Sequence, residues 1–423
     1  MLDLQALTRY RYLMMHDADP TTPPASAPAP DPRPDPYLGG PLPRPPLLPR
    51  MGPKMLFFSG GSALKAMSAE LAAYTTNTIH LVTPFDSGGS SAALRRAFNM
   101  PAVGDLRARI MALADRERLG NPEVYTLFAY RLPKDEAPKN LQAEMVRLVR
   151  GNHPLIRQIP DPMNGIIREH LSWFSLHMPP DFPLAGANIG NLILAAGYVR
   201  NKDRLASVIA LFSRMVRARG MVRPVVEDSA HLAVRLASGE VLFGQHRVTG
   251  KECAPITSPV ADIWLVDSLH DPSPAALAVS PRTAELIRDG GLVCYPVGSF
   301  YSSIVANLLP SGVGRAVAAN PNPKIFIPNL GYDPELLGHS LQMQIERLLL
   351  PLRADAPGAR PPDLLSAILI DSRRGSYTGG VPYSLLDSMG IRVIDMPLVA
   401  EEKGPLADPR LLTAALLRIA GEV

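Results

Sequence analysis

"HLVTPFDSGGSSAALRRAF", residues 80–98, decides the fold: an apolar run of strand character, then one carboxylate, two glycines and three serines, then a helical pattern with two arginines. Parallel strands must be joined by a crossover, usually a helix, so strand, glycine turn and helix in this order mark a parallel sheet. "KMLFFSGGSALKAMSAELAAY", residues 54–74, has the same order one unit earlier. "GDLRARIMALADRERLG", residues 104–120, is a further helix with Leu106, Ile110, Leu113 and Ala114 on one face.

Outward from there the scheme continues. "ADIWLVDS", "GGLVCYPVGS", "KIFIPN", "SAILIDS" and "IRVIDM" are five short apolar runs read as further strands of the sheet, most ending at Gly, Ser, Asp or Asn. "HLAVRLASGEVLFGQHRV", residues 231–248, alternates on both sides of Ser238 and Gly239 and predicts an antiparallel β-hairpin. Residues 121–180, with several prolines and the cluster Trp173–Phe174, read as a mostly helical insertion. The expected fold is α/β, a mostly parallel sheet covered on both faces.

The chain has 423 residues and 46% apolar side chains, an ordinary globular composition and long for one domain. Residues 20–50 are too rich in proline to fill a helix or bury apolar area, so residues 1–50 are expected to be a disordered extension and residues 51–423 a single α/β domain. Met51 and Met55 stand at that junction as alternative starts. Forty-three Lys and Arg against 39 Asp and Glu, with no basic run, argue against nucleic acid. Two cysteines form neither a disulfide scaffold nor a zinc pattern, and a cytoplasmic setting is expected. No apolar stretch reaches the roughly 18 residues of a membrane span, and the N-terminus lacks a signal-peptide pattern.

Ligands of open parallel sheets bind beyond the carboxyl ends of the strands. Three glycine-containing strand ends fall there, at residues 57–64, 85–92 and 295–303, where backbone N–H groups at helix starts can approach a phosphate. The signatures of an ATP-hydrolysing loop, a dinucleotide fold and a serine hydrolase are all missing. Asp86 and Asp105 occupy strand-end positions that could converge on one Mg²⁺, although each is equally placed to cap a helix.

"FFSGGSAL", "TPFDSGGSSAALR", "MPAVGDLR", "NIGNLILAA", "YPVGSFYSSIVANLL" and "KIFIPNL" occur in the order and approximate spacing of the CofD/YvcK family, which the chain resembles over residues 54–350. The resemblance implies a Rossmann-like three-layer sandwich that binds a nucleotide diphosphate linked to a small group, of GDP or UDP type, and it is compatible with a homodimer. One branch transfers phospholactate or a related phospho-group to an alcohol with Mg²⁺. The other binds UDP-sugars and acts in control of carbon metabolism and the cell envelope. Carried over by position, Asp86 and Asp105 are the expected catalytic and metal-binding residues. Gly60, Gly61 and Ser62 match the first phosphate turn, and Gly88, Gly89, Ser90 and Ser91 the acidic glycine-serine loop. Arg107, Asn188, Asn191, Gly298, Ser299, Tyr301, Ser303, Asn307 and Asn329 complete the expected ligand-binding set. Ser87 stands where relatives often carry a second acid.

Overall fold

A computed structural model describes residues 51–61, 63–115, 120–201, 204–250, 253–400 and 406–421. The expected extension, residues 1–50, and Ser62 lie outside the described residues.

The chain enters through β1 (Met55–Ser59), all five residues buried, and continues to β2 (Thr78–Val82) and β3 (Met221–Pro224). Three further strands, β4 (His231–Leu236), β5 (Val241–Phe243) and β6 (Val260–Val266), precede β7 (Leu292–Tyr295), β8 (Lys324–Phe326), β9 (Ala367–Ile370) and β10 (Arg392–Asp395). Seven of them form one sheet in the order β10-β9-β8-β7-β1-β2-β3, and every pairing in it is parallel. Unbroken apolar runs such as MLFF and AILI suit strands covered on both faces. From β1 the chain builds outward through β2 and β3, then returns to the other side of β1 with β7, so β1 and β7 flank the point where the strand order reverses.

Alternation along β1 splits the interior in two. Leu56 and Phe58 join a core with Val234, Leu265, Tyr301 and Leu348, whereas Phe57 points to the opposite face and stacks on His80 at 4.9 Å. The second core is helical. The helices Pro122–Ala129, Pro138–Val149 and Met163–His177 pack with Ile189–Arg200 and Leu205–Met215. Ile189–Arg200 is mostly apolar and buried nearly all round, and Leu192→Ala there costs about 2–5 kcal/mol by the cavity it leaves.

Two sequence expectations need correction. "ADIWLVDS" is not in the parallel sheet: as β6 it pairs antiparallel with β4, giving a small sheet β5-β4-β6 that covers the first core. Its exposed Asp262 beside buried Val260 and Leu265 is the half-solvated pattern of an antiparallel strand, masked in sequence by the aromatic and aliphatic neighbours. The edge strand β3, with Arg223 and Pro224 in four residues, carried no strand signal and was missed.

Candidate functional site

Two compartments lie at the carboxyl edge of the sheet. The larger, a cleft of about 650 Å³, is walled by Asp86, Gly88 to Ser91, Gly104, Asp105, Arg107 and Asn191, and by Arg131, Lys134 and the loop from Phe182 to Ala187. The smaller, a chamber of about 40 Å³, sits at the strand-order reversal between Gly60–Gly61 after β1 and Pro296–Ser299 after β7, with Asp105, Arg109, Gln245 and Ser303 around it. Asp105 lines both.

The cleft is built on the stretch that opened the sequence reading. Asp86 Oδ1 accepts from Gly88 N at 3.0 Å, an Asx turn that bends the chain into the helix Gly89–Phe98. Gly89 has φ +47°, a conformation glycine adopts without strain, and the N-cap residue before it, Gly88, brings no side chain to the helix that begins there. Its first turn lies at the cleft. Beneath the loop, buried Arg95 donates to the carbonyls of Phe85, Asp86 and Ala230 at 3.3, 3.2 and 2.6 Å. Burial pushes its pKa down to about 10, partly offset by Asp86, so it stays charged.

A polar chain fixes the facing wall. Asn188 caps the helix Ile189–Arg200 by accepting from Asn191 N at 3.0 Å and donates its own amide to the Ala129 and Tyr130 carbonyls. Asn191 accepts from Arg107 Nε at 2.8 Å and donates to Ser90 Oγ at 3.0 Å. Burial and the nearby charge of Arg131 lower the Arg107 pKa to about 10, against the raising influence of Asp105. Arg96, Arg107, Arg131 and Lys134 all line the cleft, and among the described residues none forms an ion pair. Against Asp86 and Asp105 they leave an excess of positive charge, the condition for receiving a polyanion.

Close packing explains the first glycine pair. A Cβ built on Gly61 would lie 2.1 Å from Asp105 Oδ1, and one on Gly60 would lie 2.2 Å from Ser303 Oγ. Any side chain at either position would displace an acid or a hydroxyl of the site. The third strand end departs from expectation. The N–H of Phe300 donates to Asp333 Oδ2 at 3.0 Å, and those of Tyr301 and Ser302 to Glu335 Oε2 at 2.8 and 2.9 Å. These acids start the π-helical turn Phe300–Val305, so the donors expected to meet a phosphate there are already taken by the protein's own carboxylates.

Gly298, Ser299 and Ser303 line the chamber, but Tyr301, Asn307 and Asn329 line neither compartment. The Tyr301 hydroxyl bonds His339 Nε2 at 2.8 Å inside the core. Asn307 donates to the carbonyls of Ser59 and Ser303 at 3.0 and 2.7 Å, and Asn329 clamps Gly298 through both its N–H and its carbonyl. Along with Asn188, they hold loops in place. Ser87 is turned away as well: its hydroxyl bonds His246 Nδ1 at 2.8 Å.

Sequence reasoning missed Arg109, Gln245, Arg131 and Lys134. Arg109 follows Asp105 by four residues on the helix Gly104–Leu113, a spacing that puts both on one face and was available as a signal. Among the described residues Asp86 and Asp105 are the only carboxylates on the cleft wall, and Asp86 Oδ2 lies 3.3 Å from where a Gly104 Cβ would be, beside Asp105. Among the described residues no group of three or more His, Cys, Asp or Glu side chains is gathered for a metal. Two carboxylates fit Mg²⁺ that arrives with phosphate oxygens and keeps several waters, and do not make an all-protein cage.

A crystal structure of a UPF0052 family protein from Bacillus halodurans superposes with a TM-score of 0.63 at 20% identity, covering 87% of this chain and 100% of that one, and shows the same fold. The gluconeogenesis factor of Bacillus subtilis is 27% identical over 67% of this chain and 69% of its own length. The gluconeogenesis factor of Listeria monocytogenes is 23% identical over 66% of this chain and 67% of its own. The family model described as 2-phospho-L-lactate transferase CofD matches residues 55–381, a span that takes in both glycine turns, the cleft and the chamber, and the chain thus belongs to the CofD family.

Proposed function

We propose that the cleft binds a nucleoside-diphosphate-linked small molecule of UDP or GDP type together with Mg²⁺, and that the chain acts as a ligand-sensing regulator of carbon metabolism in the cytoplasm. The observation that carries the reading is the cleft wall itself, where Arg96, Arg107, Arg131 and Lys134, none of them in an ion pair among the described residues, outnumber two carboxylates beside a glycine-led helix start. Diphosphate oxygens would accept from the N–H groups of the first helical turn and from the Arg107 guanidinium, while Arg131 and Lys134 neutralise the far side. Asp86 and Asp105 would hold the metal, which supplies charge neutralisation of the diphosphate when bound. In the chamber, Asp105 and Arg109 cancel formally, and buried polar atoms of Ser59, Arg109 and Gln245 lack partners, so a neutral hydroxyl-bearing group suits it better than a second anion. That favours a sugar-like substituent, and the gluconeogenesis-factor relatives support a regulatory role.

The second reading is transfer of a phospho-group from such a ligand to an alcohol, supported by the family description and by two carboxylates on one wall. Transfer of this kind needs placement and charge neutralisation more than a protein nucleophile. Regulation is preferred because Ser87 replaces an acid and is bound to His246. A thermal-shift series with UDP, GDP, UDP-sugars and phospho-acid adducts, with and without Mg²⁺, tests both. A ligand at 100 times its Kd stabilises by about 2.7 kcal/mol. Stabilisation by a UDP-sugar that is recovered intact supports sensing, turnover of an adduct in the presence of alcohols supports transfer, and no shift with any nucleotide removes both.

A further inference from the structure

Arg109 is the largest fully buried side chain, with no exposed surface, on the helix Gly104–Leu113 beneath the chamber. Sequestering a guanidinium is costly, and an apolar side chain of similar length would fill the space at less expense. Burial lowers its pKa to about 10, opposed by the charge of Asp105, so the cation persists at neutral pH. Its fork divides between two partners: Nη1 donates to Ser68 Oγ at 2.7 Å and Nη2 to the Gly60 carbonyl at 2.7 Å. Nε has no partner.

The bond to Gly60 has a geometric consequence. In a trans peptide the carbonyl and the following N–H point in opposite directions. With the Gly60 oxygen drawn to Arg109, the Gly61 N–H is directed away from it. From the other side, Asp105 Oδ1 fills the place a Gly61 side chain would take. The peptide unit between Gly60 and Gly61 is thus held by a cation at its carbonyl and packed closely against Asp105 at Gly61.

We propose that Arg109 is the positioning residue of the binding site: by gripping the Gly60 carbonyl it presents the Gly61 N–H to the ligand. The proposal rests on the nucleotide reading of the site. Lysine at this position keeps a charge but cannot span Ser68 and Gly60 together.

The test uses the full chain labelled with ¹⁵N-glycine and titrated with a UDP-sugar and a GDP-sugar in Mg²⁺. In the parent, the Gly61 and Gly89 amide resonances both move on nucleotide addition. In Arg109→Lys, affinity falls at least tenfold, and at saturation Gly89 still moves while Gly61 no longer responds. Ser68→Ala, a milder change that removes one of the two anchors and leaves the charge, weakens the Gly61 response with a smaller loss of affinity, and it decides the matter where Arg109→Lys does not fold. A Gly61 response equal to the parent's in these variants, with Gly89 responding, overturns the role of Arg109 alone. Silence of Gly89 in the parent overturns the nucleotide reading and this role with it.

Discussion

Two helices start at glycine-containing strand ends on the same edge of the sheet, one at Gly89 after β2 and one at Phe300 after β7. In sequence they look alike, small residues and hydroxyls before an apolar helix. In the structure they are opposites. The Phe300 turn has its N–H groups satisfied by Asp333 and Glu335, both buried, whereas the Gly89 helix has no capping side chain and opens on the basic cleft. Only the second opens on a cleft of net positive charge. The difference teaches that a glycine turn signals room for a close approach, and that the partner making that approach can be the protein itself.

The largest expected effect comes from emptying the self-satisfied turn. Glu335→Ala strands the Tyr301 N–H, the Ser302 N–H and the Ser302 hydroxyl in the core, and each lost partner costs about 1–3 kcal/mol, reduced here by relief of a buried charge. A loss of about 3 kcal/mol in chemical denaturation is expected, and a variant as stable as the parent would show that the acid is not the cap.

Gly89→Val probes the open turn instead. A β-branched residue at φ +47° is strained, which costs about 1–3 kcal/mol, and its methyls stand in the path of a phosphate. Calorimetry should find nucleotide binding lost from a protein that still folds. Parent-like affinity would place the ligand elsewhere.

Asp86→Asn is subtler. The Asx turn to Gly88 survives, since Asn accepts as well as Asp, so stability should stay within about 1 kcal/mol. The charge is gone, and Mg²⁺-dependent affinity should drop at least roughly tenfold, about 1.4 kcal/mol. Binding that is indifferent to both Mg²⁺ and the substitution would reduce Asp86 to a turn-former.

Glu335 also gives the capped end a pH signature. Burial, then the Asp333 charge, push its carboxyl up to about 7 from an ordinary 4.5, against the lowering bonds from Ser302 and Tyr301. Between those two values the folded chain keeps a proton that the unfolded chain has released. The resulting stabilisation is complete below about pH 4.5 and fades as pH rises through 7. Glu335→Gln cannot lose that proton, so the parent's Tm should fall relative to the variant's between pH 5 and 8. Parallel Tm curves would mean the carboxyl titrates normally.

How much of this was legible depended on distance along the chain. The strand, glycine turn and helix units at residues 54–74 and 80–98 could be read directly, because each is local. The cleft's front wall followed from them. Its far wall did not: Arg131, Lys134 and Phe182 arrive from the helical segment, where nothing local distinguishes a surface cation from a ligand contact. Ser87 and His246 meet across 159 positions, and Tyr301 and Glu335 across 34, so neither pairing leaves a trace in a window of a few turns. Tyr301, Asn307 and Asn329 carry the right chemistry for a ligand, and the structure uses it internally, the Tyr301 hydroxyl on the His339 side chain and the two amides on backbone groups.

Asp105 is a party wall, with one face on the chamber and the other on the cleft. Any occupant of one compartment that draws on this carboxylate changes what the other compartment has left to offer. Thermodynamic reciprocity then fixes the size of the exchange: whatever factor a group in the chamber imposes on the affinity for a diphosphate in the cleft, the diphosphate imposes the same factor on the group. A molecule carrying both parts on one scaffold would meet that coupling in a single encounter, and its two halves offered separately would reveal the sign.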